Sequence, residues 1–119
     1  MPTGAKPRLN VQTVGDVTVV GFVDRMLVNE DIIREVGDQL RELVEVQGVD
    51  KLLLNFSDVR YMSSSLLGLM LPLTRSLTRR GGQMKLCNLV PSLKEVFTVS
   101  KLDRLFSLYD QEATALDAF

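Results

Sequence analysis

The chain has 119 residues, 45% of them hydrophobic and 24% charged, with a formal net charge of −1. That length and balance suit one domain, spanning 1–119, with a hydrophobic core of its own. The near-neutral charge gives no overall field to draw in nucleic acid or an anionic membrane. The absence of histidine removes the commonest general base and metal ligand together.

Residues 1–8 are expected to form a flexible N-terminus, and the folded core to span about 9–117. Leu9, Val11 and Thr13 alternate with polar neighbours, Gly15-Asp16 marks a tight turn, and VTVVGF follows as a strand ending near Asp24. This is a hairpin signal. From Asn29 the period changes: Ile32, Ile33, Val36, Leu40, Leu43 and Val44 recur at helical spacing up to Gly48. Asn29 is placed to cap that helix. Glu30 with Arg34, and Asp38 with Arg41, are spaced as ion pairs on its solvated face.

KLLLNF, residues 51–56, is a continuous apolar run, as expected of a strand covered on both faces. A helix is predicted from about Ser64 to Arg80, stopped by Gly81-Gly82. Pro72 inside it predicts a kink or a short first segment, because its ring meets the carbonyl of Gly68. The cluster Arg75, Arg79 and Arg80 complements the helix dipole at the C-terminal end. QMKLCNL reads as a strand, and PSLKEVF as a short helix with Pro91 and a Ser92–Glu95 capping box as competing start signals. LFSLY reads as a strand, and Asp110 as the cap of a last helix through Leu116. The fold class is therefore α/β: a mostly parallel mixed sheet of about five strands, opened by the hairpin, with about four helices.

The single cysteine, Cys87, excludes an internal disulfide and fits a reducing compartment. Its place in an apolar strand predicts a buried, inert thiol. With no histidine and one cysteine, a zinc site of the usual nitrogen and sulfur ligands cannot be assembled. No apolar run approaches the roughly 18 residues of a membrane span, and the N-terminus has no apolar signal core. The expectation is a cytoplasmic chain with no metal, cofactor or membrane insertion.

RYMSSSLLGLML, residues 60–71, places Ser63, Ser64 and Ser65 where a strand gives way to a helix. In open α/β sheets functional groups collect at that end. Ser63 suits an N-cap, with its neighbours as first-turn residues. Nucleophilic catalysis would need a base, and Lys51, Lys85, Lys94 and Lys101 have no evident route to Ser64. The strained serine turn of acyl-transfer enzymes is also absent. Phosphorylation is physically better supported, since a phosphoserine in a first helical turn meets free N–H groups and the positive end of the dipole.

LLLNFSDVRYMSSSLLGLML resembles the signature of the anti-sigma factor antagonists, the bacterial members of the STAS domain family. There an apolar strand leads through an aspartate-containing turn into aromatic-Met-Asp-Ser-Ser-Gly-Leu-Gly and a helix. The likeness extends to GFVD at 21–24 and to RRGGQMKLCNLVPSLKEVFTVSKLDRLFSLYDQEATAL, covering about residues 9–117. Ser63 stands where the family has aspartate, and Leu66 where it has glycine.

The resemblance implies a protein that is not an enzyme and has no catalytic residue. It would bind an anti-sigma factor that is also a serine kinase and so release a sigma factor, a mechanism called partner switching. Phosphorylation of Ser64 would break that complex, and a serine phosphatase of the metal-dependent type would restore it. Ser63 and Ser65 are the alternative acceptors. The partner would dock on Ser63, Ser64 and Ser65 and the loop near Asp24; Met62, Leu66 and Leu69 would add apolar contact where exposed, with burial in the core the expected fate of at least two of them. Weak self-association is left open. The alternative is an unphosphorylated STAS adaptor module in a larger bacterial signalling or envelope-associated complex.

Overall fold

The computed structural model of the protein describes residues 7–119. The expected flexible segment 1–8 lies largely outside the described residues. Within them, Arg8 is held in place: its N–H donates to Gln39 Oε1 at 2.8 Å, and its guanidinium bonds Glu35 and Asp24.

Strands β1 (Leu9–Val14) and β2 (Val17–Phe22) form the expected antiparallel hairpin. Gly15 takes the left-handed conformation that so short a turn requires, at φ 62°. Beside β2 lie β4 (Lys51–Asn55), β6 (Gln83–Cys87) and β7 (Ser107–Tyr109), all parallel, in the order β1-β2-β4-β6-β7. A second, two-stranded ribbon pairs β3 (Met26–Leu27) with β5 (Tyr61–Met62) in parallel.

Helices α1 (Glu30–Arg41), α2 (Ser64–Arg79) and α3 (Pro91–Val99) join these strands. Alternation along the central strands divides the core in two. Val20, Phe22, Leu52, Leu54 and Leu86 pack with Val36, Leu40, Leu66, Met70 and Phe97 from these three helices. Val17, Val19, Leu53 and Cys87 face the other way and meet Ala115 of α4 (Glu112–Asp117). Leu52, Leu53 and Leu54 are thus all buried, which explains the unbroken apolar run.

Several local expectations are corrected. After α1 the chain enters a π-helical turn, Glu42–Val46, in which Gln47 N–H donates to the Glu42 carbonyl at 3.0 Å. Arg34 pairs with Asp31, not Glu30, whereas Arg41 pairs with Asp38 as expected. Helix α2 runs through Pro72 without interruption. Pro72 and Gly68 both lie on its exposed side, where water can take the carbonyl bond that proline removes. Helix α3 starts with Pro91 in its first position and Val90 as N-cap, so the Ser92–Glu95 box does not form. The N-cap of α4 is Gln111, and Asp110 is drawn to Lys94 at 3.5 Å.

The end of α2 follows its sequence signal closely. Gly82 N–H donates to the Leu77 carbonyl at 2.8 Å, and Gly81 N–H to Thr78 at 3.1 Å, with Gly81 at φ 79°. This is the Schellman pattern. Arg80 then bonds the carbonyls of Val44 and Val49 and the carboxylate of Asp50, tying α2 to the turn after α1.

Candidate functional site

The loop from β4 to the serines is fixed by its own polar groups. Asn55 Oδ1 accepts from Ser57 N–H at 2.9 Å, and Arg60 Nη1 donates to the Ser57 carbonyl at 2.8 Å. The N–H groups of Arg60 and Tyr61 both reach the Arg25 carbonyl, at 2.8 and 3.2 Å. Ser63 N–H donates to the Leu27 carbonyl at 2.9 Å. The β3–β5 ribbon therefore carries the chain to the start of α2 and sets its position.

Within the serine triplet the three side chains have different surroundings. Ser63 is the N-cap, at φ −83° and ψ 150°, and its Oγ accepts from Ser65 N–H at 3.1 Å. Its carbonyl takes the Leu66 N–H at 3.1 Å. Ser65 is exposed and lines a shallow groove with Glu30, Arg34, Asp38 and Arg41 of α1. Ser64, in the first helical position, is exposed and has no side-chain hydrogen bond among the described residues. The first turn of α2 holds no acidic residue, unlike that of α1 with Glu30 and Asp31. A negative group on Ser64 would meet the positive helix end with no carboxylate in that turn against it.

Of the three apolar residues considered for a binding surface, two are internal, as their expected burial in the core requires. Leu66 is fully buried and Met62 is only 9% exposed, both in the main core. The third position of an amphipathic helix and an inward-facing strand position turn them towards the sheet. Neither can serve as an exposed contact, and the bulk of Leu66 does not project beside Ser64. Leu69 is partly buried and packs against α1, where a Cβ on Gly37 would come within 2.9 Å of its Cδ1. Asp24 is only half free: Arg8 Nη1 contacts both its carboxylate oxygens, at 3.2 and 3.3 Å.

What the surface does offer is Met26 and Tyr61, paired across the ribbon and exposed by 52% and 61%. They line a cleft of about 610 Å³ with Arg25, Arg60, Val90 and Ser92. Sequence reasoning missed this surface, because strands of two residues carry no readable period. The one available signal was that alternation puts Tyr61 outward once Met62 is inward.

Three of the four lysines considered as bases are engaged elsewhere. Lys51 pairs with Asp16 at 2.6 Å and Lys94 with Asp110. Lys85 is buried on the α4 side of the sheet, near the rings of Tyr109 and Phe119. Cys87 is buried, and desolvation, with Glu112 nearby, pushes its thiol up to about 12. Among the described residues there is no cluster of three or more metal-ligating side chains, and no helix long and apolar enough to cross a membrane.

The STAS domain model matches residues 9–115. The chain belongs to the STAS domain family. An anti-sigma F factor antagonist of Paenibacillus polymyxa is 27% identical over 78 residues, covering 66% of this chain and 67% of that protein. The structure of an anti-sigma-factor antagonist (STAS) domain protein from Planctomyces limnophilus superposes with a TM-score of 0.81 at 25% identity, covering 92% of this chain and 96% of that one. The phosphorylated form of the Bacillus cell fate determinant SpoIIAA superposes with a TM-score of 0.69 at 22% identity, covering 92% and 97%. That last likeness concerns the fold alone.

Proposed function

We propose that this protein is an anti-sigma factor antagonist that works by partner switching. Unmodified, it binds an anti-sigma factor with serine kinase activity and so frees a sigma factor. Phosphorylation of Ser64 breaks the complex, and a metal-dependent serine phosphatase resets it. The chain acts in the cytoplasm as a binding module and catalyses nothing itself.

The observation that carries this reading is the isolation of Ser64. It is exposed, unbonded and set at the start of a 16-residue helix, between a cap serine and a serine facing α1. A kinase can reach it without unfolding anything. The phosphate adds roughly two negative charges and three acceptor oxygens. At a docking surface such a group repels a partner shaped for a neutral serine. The contact surface is centred on Ser64 and Ser65 and flanked by the exposed ribbon residues Met26 and Tyr61, with Asp24 at its edge.

The test combines the protein with ATP and the anti-sigma kinase of its own host, maps the modified serine by mass spectrometry, and measures binding. Ser64 should carry the phosphate, Ser64→Ala should bind but resist modification, and Ser64→Asp should lose binding. Should Ser64 stay bare and Ser64→Asp bind as well as the parent, the switch is wrong and an unphosphorylated adaptor takes its place.

A further inference from the structure

Among the described residues the outer edge of β1 is open and lacks the usual protection. β1 is the terminal strand of the sheet, and five of its six residues are exposed. Among the described residues no strand pairs with that edge. Edge strands are commonly blunted by charge, proline, a bulge or short length. LNVQTV has no charge and no proline, and its register with β2 runs unbroken from Leu9↔Phe22 to Val14↔Val17. The opposite edge, β7, has only three residues.

The direction of the free backbone groups follows from the register. Val23 N–H donates to the Arg8 carbonyl at 3.0 Å, so Arg8 and Val23 form a hydrogen-bonded pair. By alternation Asn10, Gln12 and Val14 also turn their groups to β2, while Leu9, Val11 and Thr13 turn theirs outward.

We infer that β1 pairs antiparallel with β1 of a second copy of this chain, extending the sheet across a two-fold axis at Val11. In that register Val11 faces Val11 of the second copy, Leu9 faces Thr13, and Asn10 faces Gln12. The side chains support this occupant. A strand with charge of one sign repels its own copy, whereas in this register no charge faces a charge: Arg8, already held by Asp24 and Glu35, stands opposite Val14, and the other positions bring valine, leucine, threonine and two amides. Asn10 and Gln12 each offer a donor and an acceptor across it. Val11 and Val14, exposed by 49% and 42%, lose water there. One strand pair buries less than a standard interface, so the dimer is weak and concentration-dependent. The serines of α2 lie outside β1, so the dimer forms whether or not Ser64 is modified.

The test is sedimentation equilibrium of the full chain from about 10 µM to about 1 mM, the range suited to a small interface. A monomer–dimer equilibrium is expected, weakened at least about tenfold by Val11→Lys and unchanged by Val99→Lys on α3, the helix that joins β6 to β7 at the opposite edge. Circular dichroism checks that both variants are folded. In a second measurement Val11→Cys should cross-link under mild oxidation, because paired Cα atoms lie about 5.5 Å apart, within disulfide reach. Cys87, fully buried, gives no background. A monomer at every concentration overturns the inference, as does cross-linking no faster in Val11→Cys than in Val99→Cys.

Discussion

Replacing Ser63 by alanine removes one hydrogen bond and little else. The Oγ accepts from Ser65 N–H at 3.1 Å, while the main-chain bonds to the Leu27 carbonyl and from Leu66 N–H do not involve the side chain. Loss of such a cap costs about 1 kcal/mol. For a domain of this size that lowers the melting temperature by about 4 °C. Asn29 provides an internal scale, because its Oδ1 accepts from two N–H groups, at 2.8 and 3.2 Å. Asn29→Ala should therefore cost more, up to about 2 kcal/mol. Ser64→Ala removes an exposed, unbonded hydroxyl and should stay within about 0.5 kcal/mol of the parent. Urea unfolding followed by circular dichroism separates these, with midpoints moving at constant slope. If Ser64→Ala costs as much as Ser63→Ala, the division between a structural and a free serine is wrong.

Gly82→Ala should cost about 3 kcal/mol by overpacking. The new Cβ would stand 2.5 Å from the Asp50 carbonyl oxygen, which cannot withdraw without losing its 2.8 Å bond from Gln83 N–H. A urea midpoint close to the parent's would refute this. Leu66→Ala should cost about 2–5 kcal/mol because the side chain is fully buried. A loss of partner binding at unchanged stability would instead place Leu66 at the surface. Cys87 should resist thiol reagents in the native protein at neutral pH and react on unfolding. Its folded pKa is raised to about 12, so stability should be lost as pH climbs from the unfolded thiol's range towards that value, and Cys87→Ala should remove that component of the decline.

The parts of this fold legible in the sequence are those with a period long enough to count. The hairpin alternates over six residues, the apolar face of α1 spans three turns, and Leu52–Leu54 advertise burial on both faces. Caps written in side-chain chemistry were also legible, as at Asn29, Ser63 and Gly81. The ribbon of β3 and β5 was not, since its hydrogen bonds use main-chain carbonyls of Arg25 and Leu27 and leave no mark on residue type. Nor was the Arg8–Asp24 pair, which exists because hairpin register brings Arg8 beside Val23. At the site, residue type alone did not say which apolar side chains face outward. Met62 and Leu66 follow the core, and Tyr61 and Met26 take the surface.

The departure at Ser63 then has a definite physical meaning. An aspartate cap and a serine cap make the same bond to the helix, but the aspartate adds a full negative charge beside Ser64. With serine in that place and no acid in the first turn, the unmodified helix start keeps the positive end of the dipole uncompensated within that turn. A phosphate on Ser64 would reverse that sign, where beside an aspartate it would only deepen an existing negative potential. Ser63→Asp therefore discriminates between two bases for partner choice. A partner that senses charge should bind the Ser63→Asp variant more weakly even without phosphate, and its affinity should recover with salt. A partner excluded by the bulk of the phosphate should bind it as it binds the parent. In both cases the helix should be retained, because the introduced carboxylate would still accept from Ser65 N–H.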